Sequence, residues 1–416
     1  MQSKANFISA AGPLLLALFI DGMGLGLVIP VLNALLFDTH SKFLTSSITP
    51  TMHNIIYGLM IGIFMLCWFF GAAVLGDLSD KIGRKKSLLI CLLGSSLGYL
   101  MAAFAIVFRS MSCLLLGRII AGLTAGSQPI AQASIVDLST NETKARNIGY
   151  ILLALSLGFI LGPLLGGILS DNRLVHWFNL STPFYFAAAM SLINALLIWF
   201  FLNETLVFKK AKFTLNFYHA IDILIIAFKN EKLRALSITF FIFIFGWSSF
   251  YSFISIFLLK TYGFTTTKIS VFMAVMGIGF GIGNGILVNY FTRRFSLQNN
   301  FIYSALISAV LVFFMAMIPY PLFSWIILIP LASGISIAYS ALITLFSNQV
   351  AAESQGWVMG ITGSIMAFVF GINGIIVGAL AIWSASLPII IATFSLVLSV
   401  AALIYFQRIS YVEKLK

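Results

Sequence analysis

The sequence predicts an all-α membrane protein: twelve transmembrane helices in two pseudo-symmetric six-helix bundles, with both termini in the cytoplasm. Three observations predict this fold class. Hydrophobic residues make up 60% of the chain and charged residues only 9%, whereas roughly a quarter of the residues in a soluble domain are charged. Apolar runs long enough to cross a membrane recur twelve times. The basic residues are concentrated in alternate connections between these runs.

The twelve spans follow from the apolar runs, since about 20 apolar residues cross a hydrocarbon core of about 30 Å. The first run lacks an A-x-A cleavage site near its end, so we interpret it as a retained helix rather than a signal peptide. The predicted spans are 10–36, 54–75, 87–108, 112–135, 147–169, 183–202, 234–259, 269–290, 299–318, 322–345, 357–380 and 386–407.

The net charge of +12 is explained by topology. Of the 24 Lys and Arg residues, 18 fall in connections on one side of the predicted membrane and only 5 in connections on the other. Positively charged loops stay in the cytoplasm, which places both termini there. A nucleic-acid partner is therefore not needed to explain the charge, and none is expected. The three cysteines lie in or beside apolar runs, which argues against a disulfide framework.

The longest polar interval divides the spans into six and six. We therefore predict an N-terminal bundle at 1–202, a cytoplasmic linker with an amphipathic segment at 203–233, and a C-terminal bundle at 234–416. A weak internal repeat supports this division, since the tract starting at Gly76 has a counterpart 209 residues later, starting at Gly285. Transporters with halves repeated in parallel bind substrate near the membrane midplane, between the halves.

Four motifs in the first half carry a resemblance to a known family. They are GDLSDKIGRKK at 76–86, RIIAG at 118–122, GFILGPLLGG at 158–167 and DGMGLGLVIPVL at 21–32. The first resembles the signature of the major facilitator superfamily. The last two are similar to patterns of its twelve-helix drug–proton antiporters, tetracycline exporters included. The resemblance implies a monomeric, proton-coupled carrier of small molecules in the bacterial inner membrane, with no enzyme activity and no cofactor besides the proton gradient.

The first motif implies a cytoplasmic gate. We assign its two glycines, Gly76 and Gly83, to a tight turn, where missing side chains let the backbone bend. In the family, the position of Asp80 faces the start of span eleven, here near Gly356, and the position of Arg84 bridges two acids. The alternative is that these charges only mark an inner loop. The predicted gate residues are Gly76, Asp77, Asp80, Gly83, Arg84 and Asp137.

The third motif places glycines, which have no side chain, in a row along span five, and we call this row the glycine stripe. Small residues at four-residue spacing allow close contact between membrane helices, and an internal proline is expected to bend the helix. Tight packing and a seal against leakage are both compatible with this pattern. The residues are Gly158, Gly162, Pro163, Gly166 and Gly167.

Two charged residues, Asp21 and Arg118, lie well inside predicted spans. A charge in the membrane interior costs at least ~2.5 kcal/mol on insertion scales, so such residues usually have a partner and a function. Their positions along the spans put them within ~5 Å of each other in depth. We hypothesise that Asp21 carries the proton, because burial favours its neutral form and an approaching cation favours its charged form. The alternative is a permanent structural pair with Arg118.

The spans of the second half contain no acidic residue. Tetracycline exporters have further membrane carboxylates there, so their absence argues against tetracycline itself as the substrate and leaves uniport open. Polar and aromatic side chains remain as candidates to line the substrate cavity, although each of them also fits a packing role. These candidates are Gln128, Gln132, Trp247, Tyr251, Tyr339 and Asn373.

The function predicted from the sequence is proton-coupled export of small amphipathic or cationic compounds by alternating access. The alternative is a carrier of a polar metabolite or siderophore, in either direction or without coupling. A membrane receptor or enzyme is a further alternative. Against an enzyme stands the lack of a nucleophile–base pair, of paired carboxylates and of metal-ligand spacing in the spans. No metal site is expected.

Overall fold

A computed structural model gives the fold, and it describes residues 4–38, 41, 43–44, 49–140, 143–206, 218–318, 320–350 and 355–415. Side chains are described over the same ranges except at 4–10, 50, 144–145, 219, 355–356 and 409–415. Within these ranges the regular structure is entirely helical, and it includes twelve spans long and apolar enough to cross a membrane. The predicted fold class is confirmed. The side of the membrane on which the termini lie stays a prediction.

Helices in the first half of the chain form spans one to six. They are α1 (Lys4–Phe37), α2 (Pro50–Ile82), α3 (Arg84–Val107), α4 (Met111–Thr124), α5 (Ser127–Asp137), α6 (Lys144–Ser170) and α7 (Thr182–Phe201). The linker helix and spans seven to twelve follow. They are α8 (Tyr218–Lys229), α9 (Glu231–Tyr262), α10 (Thr266–Ile282), α11 (Val288–Thr292), α12 (Leu297–Met317), α13 (Pro321–Ser347), α14 (Gln355–Leu380) and α15 (Leu387–Leu415).

Span four is not the uninterrupted helix that the sequence predicts over 112–135. It consists of α4 and α5, with a break at Ala125 and Gly126. The break lies where the chain packs tightly, because a Cβ added to Gly126 would be only 2.8 Å from Cβ of Leu75 on α2. Span eight also departs from a regular α-helix, since a five-residue π-helical turn, Gly283–Leu287, joins α10 to α11.

Several helices continue beyond their apolar runs. For example, α2 begins at Pro50 and ends at Ile82, whereas the apolar run predicts only 54–75. The polar tract after that run therefore stays helical as far as Ile82, because a helix satisfies its own backbone hydrogen bonds and does not end where its side chains become polar.

The chain divides into two compact units. The first contains Met1–Thr49, Ile63–His219 and Thr265–Ala274. In it, α1 packs against α6, and α3 packs against α4 and α7. Its apolar core includes Leu14, Leu18, Leu88, Ile130 and Ile198.

The second unit contains Pro50–Gly62, Ala220–Phe264 and Val275–Lys416. In it, α9 packs against α14 and α15, while α12 packs against α13 and α15. Each unit thus includes a short segment from the other half of the sequence. The predicted boundaries at 1–202, 203–233 and 234–416 stay a prediction.

A glycine seam joins the first turns of α2 to α14 inside the second unit. A Cβ added to Gly58 would lie 2.8 Å from Cα of Gly378, and one added to Gly374 would lie 2.8 Å from the backbone nitrogen of Gly62. Such spacing leaves no room for side chains, so the two backbones are in direct contact, as at small-xxx-small interfaces.

Polar side chains support the same contact. The amide of Asn54, which is buried, donates to the carbonyl of Ala381 at 3.1 Å and accepts from Nζ of Lys260 at 3.2 Å. The Tyr57 hydroxyl donates to the Ser252 carbonyl at 2.8 Å. In an apolar surrounding these bonds satisfy groups that would otherwise be costly to bury.

The linker helix α8 covers the described part of the predicted amphipathic segment. Ala220 and Ala227 on it are buried, whereas Tyr218, Ile225 and Ile226 are exposed. This one-sided burial fits a helix that packs on the protein with one side and presents apolar side chains on the other. Its position at the inner membrane surface stays a prediction.

Candidate functional site

The carboxylate of Asp21 has a hydroxyl partner. Asp21 lies in the middle of α1 and is half-buried. The hydroxyl of Ser127, a residue with no exposed surface, lies 2.8 Å from both Asp21 carboxylate oxygens. A hydroxyl that donates to a carboxylate stabilises its charged form. The structure therefore gives the intramembrane acid a neutral hydrogen-bond donor.

The break in span four creates this contact. Ser127 is the first residue of α5, and the break puts the beginning of this half-helix beside Asp21. A helix beginning carries partial positive charge, and discontinuous membrane helices often direct such ends at anionic groups. Nothing in the sequence distinguished Ser127 from the many other serines in the spans, which is why sequence reasoning missed it.

Arg118, the other predicted coupling residue, lies in the same unit and is only 6% exposed. Its guanidinium carbon lies 4.1 Å from the ring centroid of Phe64, a cation–π distance. The Tyr99 hydroxyl packs against Gly24 of α1, within electrostatic range of both Asp21 and Arg118. The ion pairs among the described residues do not join Asp21 to Arg118.

The glycine stripe of α6 holds the part of α1 that carries Asp21. A Cβ added to Gly158 would be 2.5 Å from the carbonyl oxygen of Phe19, and one added to Gly166 would be 2.6 Å from that of Leu27. Gly162 lies between them, against the backbone of Met23. The two backbones therefore touch on both sides of Asp21.

Two other members of the stripe have different neighbours. The ring of Pro163 packs against Gly26 of α1, and Gly167 faces the Ser270 side chain of α10. Near Gly167, the hydroxyl of Thr267 donates to Asp171 at 2.9 Å. The helix α6 continues through Pro163 from Lys144 to Ser170.

The structure brings three of the predicted gate residues together. Arg84 lies 2.8 Å from Asp80 through Nη1 and 3.3 Å from Asp137 through Nε. Its Nη1 also donates to Ser79 at 2.8 Å. Asp77 lies half-buried in α2. The predicted contact of Asp80 with the start of span eleven concerns Gly356, which lies outside the residues with described side chains.

The assignment of Gly76 to the turn is wrong. Because α2 continues to Ile82 and α3 begins at Arg84, the turn consists of Gly83 alone. Its φ of 105° is a conformation that L residues rarely adopt. Gly76 lies inside α2, and a Cβ added there would meet no atom within 4 Å.

Sequence reasoning also missed Glu204, which follows α7. Its carboxylate accepts from the backbone nitrogens of Arg84 at 2.8 Å and Leu206 at 3.1 Å. The same carboxylate packs against Gly83, with Cδ 2.6 Å from where a Cβ would be. An acidic residue directly after an apolar run, on the side of the basic loop, was the available signal.

Gly83→Ala is expected to destabilise the protein by about 1–3 kcal/mol, because alanine is strained at this backbone conformation and its Cβ would overlap the Glu204 carboxylate. The melting temperature of the purified protein in detergent should fall. Gly76→Ala is the matched control and should leave it unchanged or slightly higher. Equal melting temperatures for Gly83→Ala and the wild type would contradict the strained turn.

Two of the three aromatic cavity candidates, Trp247 and Tyr251, belong to an aromatic cluster centred on α9. The ring of Trp247 lies 5.5 Å from Tyr251, 5.8 Å from Phe250 and 5.3 Å from Phe280, and Tyr251 lies 6.4 Å from Phe370. We call these five residues the α9 aromatic cluster. Trp247 is half-buried.

The remaining cavity candidates have different surroundings. Asn373 on α14 is fully buried, and its amide nitrogen donates to Ser249 at 2.7 Å, while its Oδ1 has no hydrogen-bond partner. Tyr339 lies 5.9 Å from Phe240 and apart from the α9 aromatic cluster. Gln128 and Gln132 lie half-buried on α5. Over the described ranges, no three His, Cys, Asp or Glu side chains are grouped to hold a metal ion.

The sequence is similar to those of known proteins over most of its length. A family model described as Major Facilitator Superfamily matches residues 14–372. The class C tetracycline resistance protein of Escherichia coli is 29% identical over 368 residues, which cover 88% of each chain. Multidrug resistance protein 1 of Bacillus subtilis is 26% identical over 413 residues, covering 96% of this chain and 97% of the relative.

Solved structures share the fold. The human organic anion transporter MFSD10 has a TM-score of 0.70 at 20% identity, covering 95% of this chain and 99% of its own. The xylose transporter XylE of E. coli has a TM-score of 0.74 at 12% identity, covering 97% of this chain and 98% of its own. Twelve apolar spans and bacterial relatives indicate a multi-pass integral protein of the bacterial plasma membrane. Since the family model spans most of its length, this chain belongs to the major facilitator superfamily.

Proposed function

We propose that this transporter exports small amphipathic or cationic compounds in exchange for protons. The observation that carries the proposal is the state of Asp21. Its carboxylate lies within a span, is only half-buried, and is held by the Ser127 hydroxyl without an ion pair to Arg118. A carboxylate in this state is able to accept either a proton or a cation. A permanent ion pair would oppose both.

Exchange follows from competition for this one group. With a proton bound, Asp21 is neutral and has little affinity for a cation. When the proton leaves, the charged carboxylate attracts a cationic substrate. After Glu231, at the start of α9, the second half has only the acids Glu353 and Glu413, both outside the apolar runs, so one carboxylate limits the cycle to one proton at this site.

The aromatic side chains of the second unit suggest which class of compound the transporter binds. The α9 aromatic cluster offers rings for stacking and for cation–π contact, both of which favour flat or positively charged compounds. The relatives include a tetracycline resistance protein and a multidrug resistance protein, which supports export of drug-like molecules. We expect no cofactor besides the proton gradient, and a monomer in the lipid bilayer.

The cluster around Arg84 serves as the cytoplasmic gate in this proposal. Arg84 joins the end of α2 to the end of α5 through Asp80 and Asp137. Both carboxylates are partly exposed, so each bond is weak and can be broken and remade during transport. Such a cluster suits a contact that must open and close in each cycle.

A pH measurement in sealed vesicles tests the function. The purified protein is reconstituted with a pH-sensitive dye inside the vesicles, and the cationic compounds ethidium and tetraphenylphosphonium are added outside. We expect each cation to produce a pH change that protein-free vesicles lack. Xylose, a neutral polar compound, should produce none. Cation transport without any pH change would contradict proton coupling, and transport of xylose alone would favour the polar-metabolite carrier.

A further inference from the structure

Ser127 differs from the other buried serine of its helix. In membrane helices a serine hydroxyl usually bonds a carbonyl one turn earlier in the same helix. Ser134, which is also fully buried on α5, does so by donating to the Ile130 carbonyl at 2.8 Å. Ser127 has no earlier turn in α5, because the helix begins with it. Its hydroxyl is therefore directed at α1 and Asp21.

The break itself removes the competing carbonyl. In an unbroken span four, the hydroxyl of Ser127 would have the Leu123 carbonyl one turn before it. In the structure, the Leu123 carbonyl lies against Gly71 of α2 instead. The break at Ala125 and Gly126 is thus what leaves the hydroxyl proton for the carboxylate.

Few other groups compete for Asp21. The helices α5, α6 and α7 pack against α1, Tyr99 of α3 packs against Gly24 beside Asp21, and the stripe of α6 presents glycine backbone there. Cys91 and Tyr99 of α3 lie within electrostatic range of Asp21. Neither carries a positive charge that could take the place of the Ser127 hydrogen bond.

We propose that Ser127 is a positioning residue for proton release, because the break in span four holds its hydroxyl on Asp21 and so stabilises the charged carboxylate that receives a cationic substrate. The proposal rests on the proposed function. It assigns Ser127 no contact with substrate. Its effect is on the pH at which Asp21 exchanges its proton for a cation.

Binding of ethidium to the purified protein in detergent, followed by fluorescence as a function of pH, tests the proposal. Ethidium binds when Asp21 has lost its proton. Ser127→Ala removes the donor and makes the charged carboxylate less favourable, so half-maximal binding should move to higher pH by about one unit. Ser127→Thr keeps the hydroxyl and should return the midpoint close to that of the wild type. Ser134→Ala, the matched control, should not move it.

A wild-type midpoint in Ser127→Ala would overturn the proposal, and so would an equal shift in Ser134→Ala. If Ser127→Ala does not yield folded protein, Ser127→Cys retains a weaker donor of similar size and should shift the midpoint in the same direction by less. Asp21→Asn separates this proposal from the proposed function. Ethidium-driven proton release that survives in Asp21→Asn refutes proton coupling through Asp21, whereas its loss together with an unshifted Ser127→Ala refutes only the role of Ser127.

Discussion

Replacing Asp21 with Asn is expected to abolish proton movement driven by ethidium, down to the level of protein-free vesicles. Asparagine cannot carry a proton at this position and has no charge to attract a cation. The expectation depends on the absence of any acid in the apolar runs of the second half, since no carboxylate within them can replace Asp21. The measurement is the internal pH of vesicles that contain the purified variant.

Asp21→Glu is the matched control for this variant. It keeps a carboxylate and should retain measurable proton movement, although the longer side chain changes the distance to Ser127. Exchange of radiolabelled tetraphenylphosphonium against unlabelled compound shows whether Asp21→Asn still folds and cycles. Full ethidium-driven acidification or alkalinisation in Asp21→Asn is the result that would refute Asp21 as the coupling group.

The second large effect is expected for Gly162→Val on α6. A Cβ at Gly162 would lie 2.9 Å from Cα and 3.1 Å from the carbonyl carbon of Met23, which is backbone and has no rotamer to change. Overpacking of this kind typically costs about 1–3 kcal/mol. The added side chain should also displace α1 near Asp21, so we expect both a lower melting temperature and the loss of transport.

Gly149→Val is the matched control, because Gly149 lies in the same helix and an added Cβ would meet no atom within 4 Å. This variant should keep the wild-type melting temperature and transport rate. Equal rates of ethidium transport by Gly162→Val and Gly149→Val would contradict the role of the stripe in holding α1.

The sequence was sufficient to predict the spans because membrane thickness dictates how long an apolar run must be. It did not predict the break in span four. Gly126 is one of 33 glycines in the chain, and only the position of Leu75 on another helix makes that glycine necessary. Breaks of this kind depend on packing between helices that are distant in sequence.

Only part of the candidate site could be predicted, again because contacts between distant helices are not visible in the sequence. Asp21 is easy to identify in an apolar run. Arg118 is the other charged residue inside the predicted spans, so the sequence suggests it as the partner of Asp21. The structure instead gives it the hydroxyl of Ser127, which is 106 residues away and has no distinctive local pattern. Charged residues are rare in a membrane span and therefore easy to identify, whereas serines are common there and become informative only when their neighbours are known.

The contact between α2 and α14 has a consequence for biogenesis. Gly58 and Gly62 are synthesised in the second span, but their partners Gly374 and Gly378 are in the eleventh. During translation the first turns of α2 therefore enter the bilayer long before the surface that covers them exists. The ribosome must complete nearly the whole polypeptide before these turns can reach their native neighbours, so the amino-terminal half cannot finish folding on its own.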